Sequence, residues 1–163
     1  MPTGEEDRAR VDERDYRCVV PIEVRFRDLD AFAHVNNAVY FSYFEHGRVV
    51  YLREAGGGGA VGLDDLRIVL VDAACRYRSS ALLGEVLQLG VRVGGMRRSS
   101  FTFEYRVLGP DGRLVAEGRT VQATFDHRAG KVIPIDPAFR ALVERYEGRT
   151  FDPQVPVPPW GRT

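Results

Sequence analysis

Cysteine is scarce in this chain of 163 residues: Cys18 and Cys75 are the only two, both inside apolar runs and without metal-ligand spacing. They read as small core residues of a reducing compartment, not as a disulfide framework or a metal centre. No apolar stretch approaches the roughly 18 residues of a membrane span, and the acidic start MPTGEEDRARVDERD is unlike a secretory signal. The cytoplasm is the expected location. Net charge is also missing, because 23 basic side chains balance 23 acidic ones. No long-range positive field is therefore available to hold nucleic acid, although a local basic cluster can still grip a small anion. Lysine occurs once, at Lys131, and the arginines that replace it are spread over the whole chain.

What the chain does have is 44% hydrophobic residues, enough at this length for one domain with a core of its own. Residues 1–15 are charged and poor in apolar groups, so they are expected to form a flexible tail. The segment FDPQVPVPPWGRT, with four prolines in 13 residues, excludes helix and central strand and makes 149–163 an extended Pro-rich tail that Trp160 could pin. The domain is thus 16–148. Alternation from Cys18 to Phe26 predicts a strand, which Pro21 places near an edge. From Asn36 or Asn37 as N-cap, a long helix carries Tyr40, Tyr43, Phe44, Gly47, Val50 and Tyr51 on one face, and Gly56 to Gly59 ends it.

Four further strands follow: Leu66 to Arg78, Glu85 to Val93, the run SFTFEYRV, and a run ending Val121, Ala123, Phe125. Gly109-Pro110-Asp111-Gly112 is the turn between the last two, and the broken alternation at Glu117-Gly118 predicts a bulge. A short helix from Pro137 to Tyr146 closes the domain. Strands meandering through hairpins, with one long helix to cover their apolar face, predict an α+β fold in which an antiparallel sheet curls around that helix.

The chemistry concentrates between the first strand and the long helix, where Asp28, Asp30 and His34 precede both asparagines of the chain, Asn36 and Asn37. A helix start offers unpaired N–H groups and the positive end of a dipole, which suit a developing oxyanion. A carboxylate beside it can attack a carbonyl or activate water, and a thioester fits because thiolate leaves readily. Ordinary turn and capping chemistry selects the same residue types. For Asp28, beside the strand end, pairing with an arginine is the plainer role, and His34 also suits a satisfied loop position.

The run VRFRDLDAFAHVNNAVYFSYFEHGRVVYL resembles the signature of hotdog-fold acyl-CoA thioesterases of the 4-hydroxybenzoyl-CoA thioesterase type, the group of the YbgC-like and FadM-like enzymes. The likeness extends over roughly residues 18 to 145, through CRYRSSALLGE, Arg97-Arg98-Ser99-Ser100-Phe101, Leu114 to Gly118 and Gly130 to Ile135. It implies a five-stranded antiparallel sheet around one long central helix, a short C-terminal helix, and pairing with a second copy, as homodimer or dimer of dimers, with active sites at the interface. It also implies Asp30 as nucleophile or general base, the Asn37 backbone N–H as donor to the thioester oxygen, and His34 and Asn36 as residues that orient loop and substrate. The family has glycine where this chain has Ala33, a difference that bears on the loop if that position is left-handed.

Coenzyme A would be the substrate handle, with Arg97, Arg98, Ser99 and Ser100 as its phosphate grip and Tyr40 among the aromatic residues of an acyl pocket. No cofactor, metal, membrane or nucleic-acid partner is expected. Glu45 is the alternative acid, since another hotdog branch draws its carboxylate from the helix; its plainer role is a solvated helix residue or an ion pair with Arg48. A metal site from Asp28, Asp30 and His34, and a hydratase, which would resemble D-x-N-P-x-H, fit less well. A non-catalytic acyl-CoA sensor and an acyl carrier protein thioesterase are the alternative functions.

Overall fold

The computed structural model describes residues 11–12, 14–58 and 67–157, so expectations that fall on Gly59, Leu66 and Trp160 lie outside the described residues. In chain order the elements are β1 (Cys18–Glu23), a 3-10 turn (Phe26–Asp28), α1 (Val39–Ala55), β2 (Ile68–Tyr77), β3 (Val86–Met96), β4 (Ser100–Leu108), β5 (Leu114–Asp126), β6 (Lys131–Val132) and α2 (Pro137–Glu147). The sheet has six antiparallel strands, not five: its order is β1-β3-β4-β5-β2, and the two-residue β6 pairs with the end of β5. Only β3, β4 and β5 form a meander. β2 pairs with β5 at the far edge, and residues 78–85 carry the chain back to β3. Pro21 does lie on an edge strand, since β1 pairs with β3 alone.

One face of the sheet holds Leu87, Leu89, Val91 and Val93 of β3 and Phe101, Phe103, Tyr105 and Val107 of β4, all buried. α1 lays Tyr40, Tyr43, Phe44 and Tyr51 onto this face, each also buried. The Phe44 ring stacks on Tyr105 at 4.2 Å between centroids, a geometry that adds about 0.5–1.5 kcal/mol to the burial itself. The helix stops where Gly57 and Gly58 take positive φ. α2 starts on the Asp136 carboxylate, which accepts the Ala138 N–H at 2.7 Å, and stops at left-handed Gly148. At the other end of the chain, Val11 and Tyr16 are buried against Leu108.

The expected bulge at Glu117-Gly118 is not there. Gly118 sits in regular register with Cys75 on one side and Tyr105 on the other. The register shifts fall instead between Leu70 and Asp72, between Val93 and Gly95, and between Val107 and Leu108. The alternation breaks at Gly118 because the Phe44 ring occupies the place of a side chain: a Cβ there would lie 2.3 Å from the ring carbons. With Phe44 held by its stack on Tyr105, Gly118→Ala is expected to cost about 2 kcal/mol through overpacking, read as a lower urea midpoint with an unchanged slope.

Candidate active site

Beyond β1 the chain turns at Arg25 and is anchored by Asp28, only 3% exposed. Asp28 Oδ2 accepts the Arg25 N–H and the Tyr43 hydroxyl, both at 2.9 Å, and the Arg25 guanidinium stands 3.4 Å from Oδ1. Burial pushes the Asp28 carboxyl up, but the Arg25 N–H, the Tyr43 hydroxyl and the Arg25 guanidinium together outweigh it and hold the group below its ordinary value. The arginine partner expected for Asp28 is therefore Arg25. The Asp28 carbonyl in turn accepts the Asn36 N–H at 2.8 Å, which closes the loop onto the start of α1.

Within that loop Asp30 organises a tight reversal. Its N–H donates to the His34 carbonyl at 2.8 Å, and its Oδ1 accepts the N–H groups of Phe32 at 2.9 Å and His34 at 3.3 Å. Among the described residues Oδ2 takes no hydrogen bond. Ala33 sits at φ 60°, the left-handed region, as the departure from glycine foreshadows. His34 bridges to Leu82, and its Nδ1 lies 3.3 Å from Ser80 Oγ.

Asp30, His34, Asn37 and Tyr40 all line one cavity of about 340 Å³, together with Tyr77, Arg78, Ser79 and Ser80. The helix starts later than expected, at Val39, with Ala38 at its cap. Neither asparagine is the N-cap: Asn36 forms a turn just ahead of the helix, where its Oδ1 accepts the Ala38 N–H and its carbonyl the Val39 N–H, both at 2.9 Å. This role takes the Asn36 side chain into the turn, and the residue is not among those that line the cavity. The Asn37 N–H has no acceptor among the described residues, while its carbonyl is held by the Tyr77 hydroxyl at 2.9 Å. Burial, with smaller contributions from Cys75, pushes the Tyr40 and Tyr77 hydroxyls up to about 12, so both remain neutral donors.

Other expected residues stand elsewhere. Glu45 is exposed on α1, eight residues or about 12 Å along the axis from Asn37, and lines a different cavity. No ion pair joins it to Arg48 among the described residues, and Arg48 Nη1 donates instead to the Tyr105 hydroxyl at 3.1 Å. Arg97 to Ser100 form the β3–β4 turn, ten residues or about 33 Å along β3 from the Val86 end where the acid turn lies. There the Arg97 N–H donates to the Ser100 carbonyl at 2.7 Å, and the Ser99 carbonyl accepts the Thr124 N–H at 2.9 Å. Within one chain these residues do not meet Asp30.

The site residues that sequence reasoning missed are Tyr77, Arg78, Ser79 and Ser80. Their signal was an apolar strand running out into Arg-Ser-Ser, the same passage from strand to polar loop that marks the acid turn. Arg113, from the β4–β5 turn, braces this segment: its Nη2 donates to Glu85 at 2.6 Å and to the Ser80 carbonyl at 2.8 Å. Burial pushes the Glu85 carboxyl up, and the hydrogen bond from Arg113 reverses that, leaving it below its ordinary value.

The profile of the thioesterase-like superfamily matches residues 24–143, which span the acid turn, α1 and β2 to β5. The chain belongs to this superfamily. Thioester hydrolysis is the activity class that membership carries. The thioesterase-like chain is 33% identical to a Thermus thermophilus thioesterase whose crystal structure contains coenzyme A and Zn, with a TM-score of 0.74 over 83% of this chain and 98% of the other. It is 25% identical to the long-chain acyl-CoA thioesterase FadM of Escherichia coli (strain K12), over 76% of this chain and 95% of FadM. It is 24% identical to the acyl-CoA thioester hydrolase YbgC of Escherichia coli O157:H7, over 65% of this chain and 80% of YbgC.

Two stability measurements check the loop. Asp28→Ala is expected to cost about 2 kcal/mol, since it strips a charged acceptor from Arg25 and Tyr43. Because the folded Asp28 carboxyl is depressed, the unfolded chain binds its proton first. Its stabilisation is therefore full above the unfolded value near pH 4 and disappears as pH falls through the folded value. The variant should lack that part of the acid slope in a urea–pH series. Ala33→Gly removes the left-handed strain but adds unfolded-state entropy, for a net gain of up to about 1 kcal/mol; a lower urea midpoint would contradict this reading.

Proposed function

We propose that this thioesterase-like protein hydrolyses acyl-CoA thioesters to free acid and CoA, with Asp30 as the catalytic carboxylate and the Asn37 N–H as the donor to the thioester oxygen. The observation that carries the reading is one cavity lined by a carboxylate with an uncommitted oxygen and by a residue just ahead of α1 with an uncommitted N–H. As nucleophile, Asp30 Oδ2 adds to the thioester carbon while the Asn37 N–H stabilises the oxyanion. The intermediate expels the CoA thiolate, and water then cleaves the mixed anhydride to acid and free Asp30. As general base, Oδ2 takes a proton from water, whose oxygen attacks the same carbon, and the thiolate leaves with that proton. In both routes His34 holds the Asp30 turn, Tyr77 holds the Asn37 carbonyl, and Tyr40 furnishes a neutral hydroxyl beside the ester.

Self-association supplies what one chain lacks. β2 is an edge strand of ten residues with Leu70 and Val71 exposed by 53% and 57%, an edge that invites pairing. Antiparallel pairing of two copies along β2 sets the Ile68 end of one beside the Tyr77 end of the other. The β3–β4 turn lies at the Ile68 end, since Ser100 pairs with Ala123 next to Thr124, the partner of Ile68. A homodimer of this kind brings Arg97, Arg98, Ser99 and Ser100 of one copy toward the acid turn of the other, where they can grip the CoA phosphates.

Asp30→Asn keeps an oxygen for the Phe32 and His34 N–H groups, so folding should persist while thiol release from a panel of acyl-CoA and acyl carrier protein thioesters falls about 10³-fold. Binding of acyl-CoA without turnover by the wild type would favour a sensor and overturn the hydrolase. Arg97→Ala with Arg98→Ala should raise KM about tenfold, and mixing this chain with Asp30→Asn should restore sites of native affinity if the two groups come from different copies.

A further inference from the structure

We infer that the Tyr40 hydroxyl is a second donor to the thioester oxygen, and that with the Asn37 N–H it completes the place where the developing negative charge is held. The inference rests on the reading of Asp30 and Asn37 as the reacting groups, and it adds a catalytic residue to that site.

Tyr40 is 2% exposed, and its hydroxyl takes no hydrogen bond among the described residues. It does not belong to the buried side-chain atoms left unpaired there, so it has open space before it, and the cavity that Tyr40 lines is the one shared by Asp30 and Asn37. The ring that carries it is fixed. It meets Tyr43 at 5.8 Å and Tyr77 at 5.3 Å between centroids, both edge-on, with interplanar angles of 70° and 68°. Tyr77 also holds the Asn37 carbonyl through its hydroxyl at 2.9 Å, so one side chain braces both donors. Tyr40 is the second residue of α1, and helical side chains lean toward the N-terminus, over the preceding turn. That turn is the one that contains Asn37.

Other donors of the cavity are spent or loosely held. Ser79 Oγ donates to the Leu114 carbonyl at 2.7 Å, Arg78 is paired with Glu117 at 3.1 Å, and the Asn37 side chain belongs to an exposed residue. A carbonyl oxygen has two lone pairs, and the Asn37 N–H answers one of them. When the carbon becomes tetrahedral the oxygen takes up charge, and a donor already fixed beside it lowers the barrier without reorganising. The sulfur needs no such partner, because a thiol ionises at about 8.5 and leaves as thiolate. Burial pushes the Tyr40 hydroxyl up to about 12, so it gives the oxygen a hydrogen bond and keeps its proton.

Tyr40→Phe removes the hydroxyl and leaves the ring, and since no protein group bonds that hydroxyl, the urea midpoint should not fall. On the acyl-CoA that the wild type cleaves fastest, kcat should drop about 10²-fold, with KM within about twofold. The pH–rate profile should keep its shape, because Tyr40 does not titrate below about 12. Calorimetry compares S-(3,3,3-trifluoro-2-oxopropyl)-CoA, whose hydrated ketone presents tetrahedral oxygens, with S-propyl-CoA, which has none. The substitution should weaken the first about tenfold and leave the second unchanged. An unchanged kcat, a loss carried by KM alone, or a lower urea midpoint overturns the role of Tyr40 and leaves the Asp30 hydrolase standing. If the wild type releases no thiol, the hydrolase falls, and the calorimetric difference then upholds the Tyr40 donor or, by its absence, overturns it.

Discussion

Asp28 joins three parts of the chain that approach from different directions: the end of β1 through the Arg25 N–H, the second turn of α1 through the Tyr43 hydroxyl, and the start of that helix through its own carbonyl and Asn36. An ionised carboxylate with almost no access to water persists only where donors surround it. That requirement fixes the separation of strand end and helix start, and the Asp30 reversal fits into the gap. The chemistry assigned to Asp30 thus depends on a neighbour two residues away that never touches the cavity.

The two ends of the sheet are built for different work. The acid end gathers short polar side chains on loops, held by backbone ladders and by tyrosines whose hydroxyls stay protonated. The opposite end offers arginines on a tight turn whose carbonyls are spent on β5 and on the strap beyond it, as Thr124 and Ile135 show. Between them lies the aromatic packing of Phe44, Tyr105 and Phe103, which holds α1 at a constant height over the sheet. Under the proposed pairing along β2, the two ends of different copies meet, since pairing there reverses the direction of the second copy.

The strands, the long helix and the acid turn were legible because each is written locally: alternation in β3 and β4, helical spacing in α1, and Asp30, His34 and Asn37 within one short run. What was not legible is non-local. Nothing near Ile68–Tyr77 shows that this strand lies beside β5 and not beside β3, because an apolar strand of that length satisfies either neighbour. Gly118 looked like a bulge because its reason, the Phe44 ring, comes from a residue far away in sequence. Tyr77 to Ser80 reach the cavity through that same unexpected strand order. Arg97 to Ser100 were read as a phosphate grip; their place at the β3–β4 turn, far from Asp30, follows only from the direction of β3.

Arg113 gives the sheet an unusual dependency. The hairpin between β4 and β5 contributes the strut that supports Ser80 and Glu85 at the base of the cavity. Local opening of such a turn commonly precedes loss of the core and spreads through the segments tied to it. Here Arg113 ties the hairpin tip to Ser80 and Glu85, so opening of the hairpin would release both contacts while the aromatic interior is still intact.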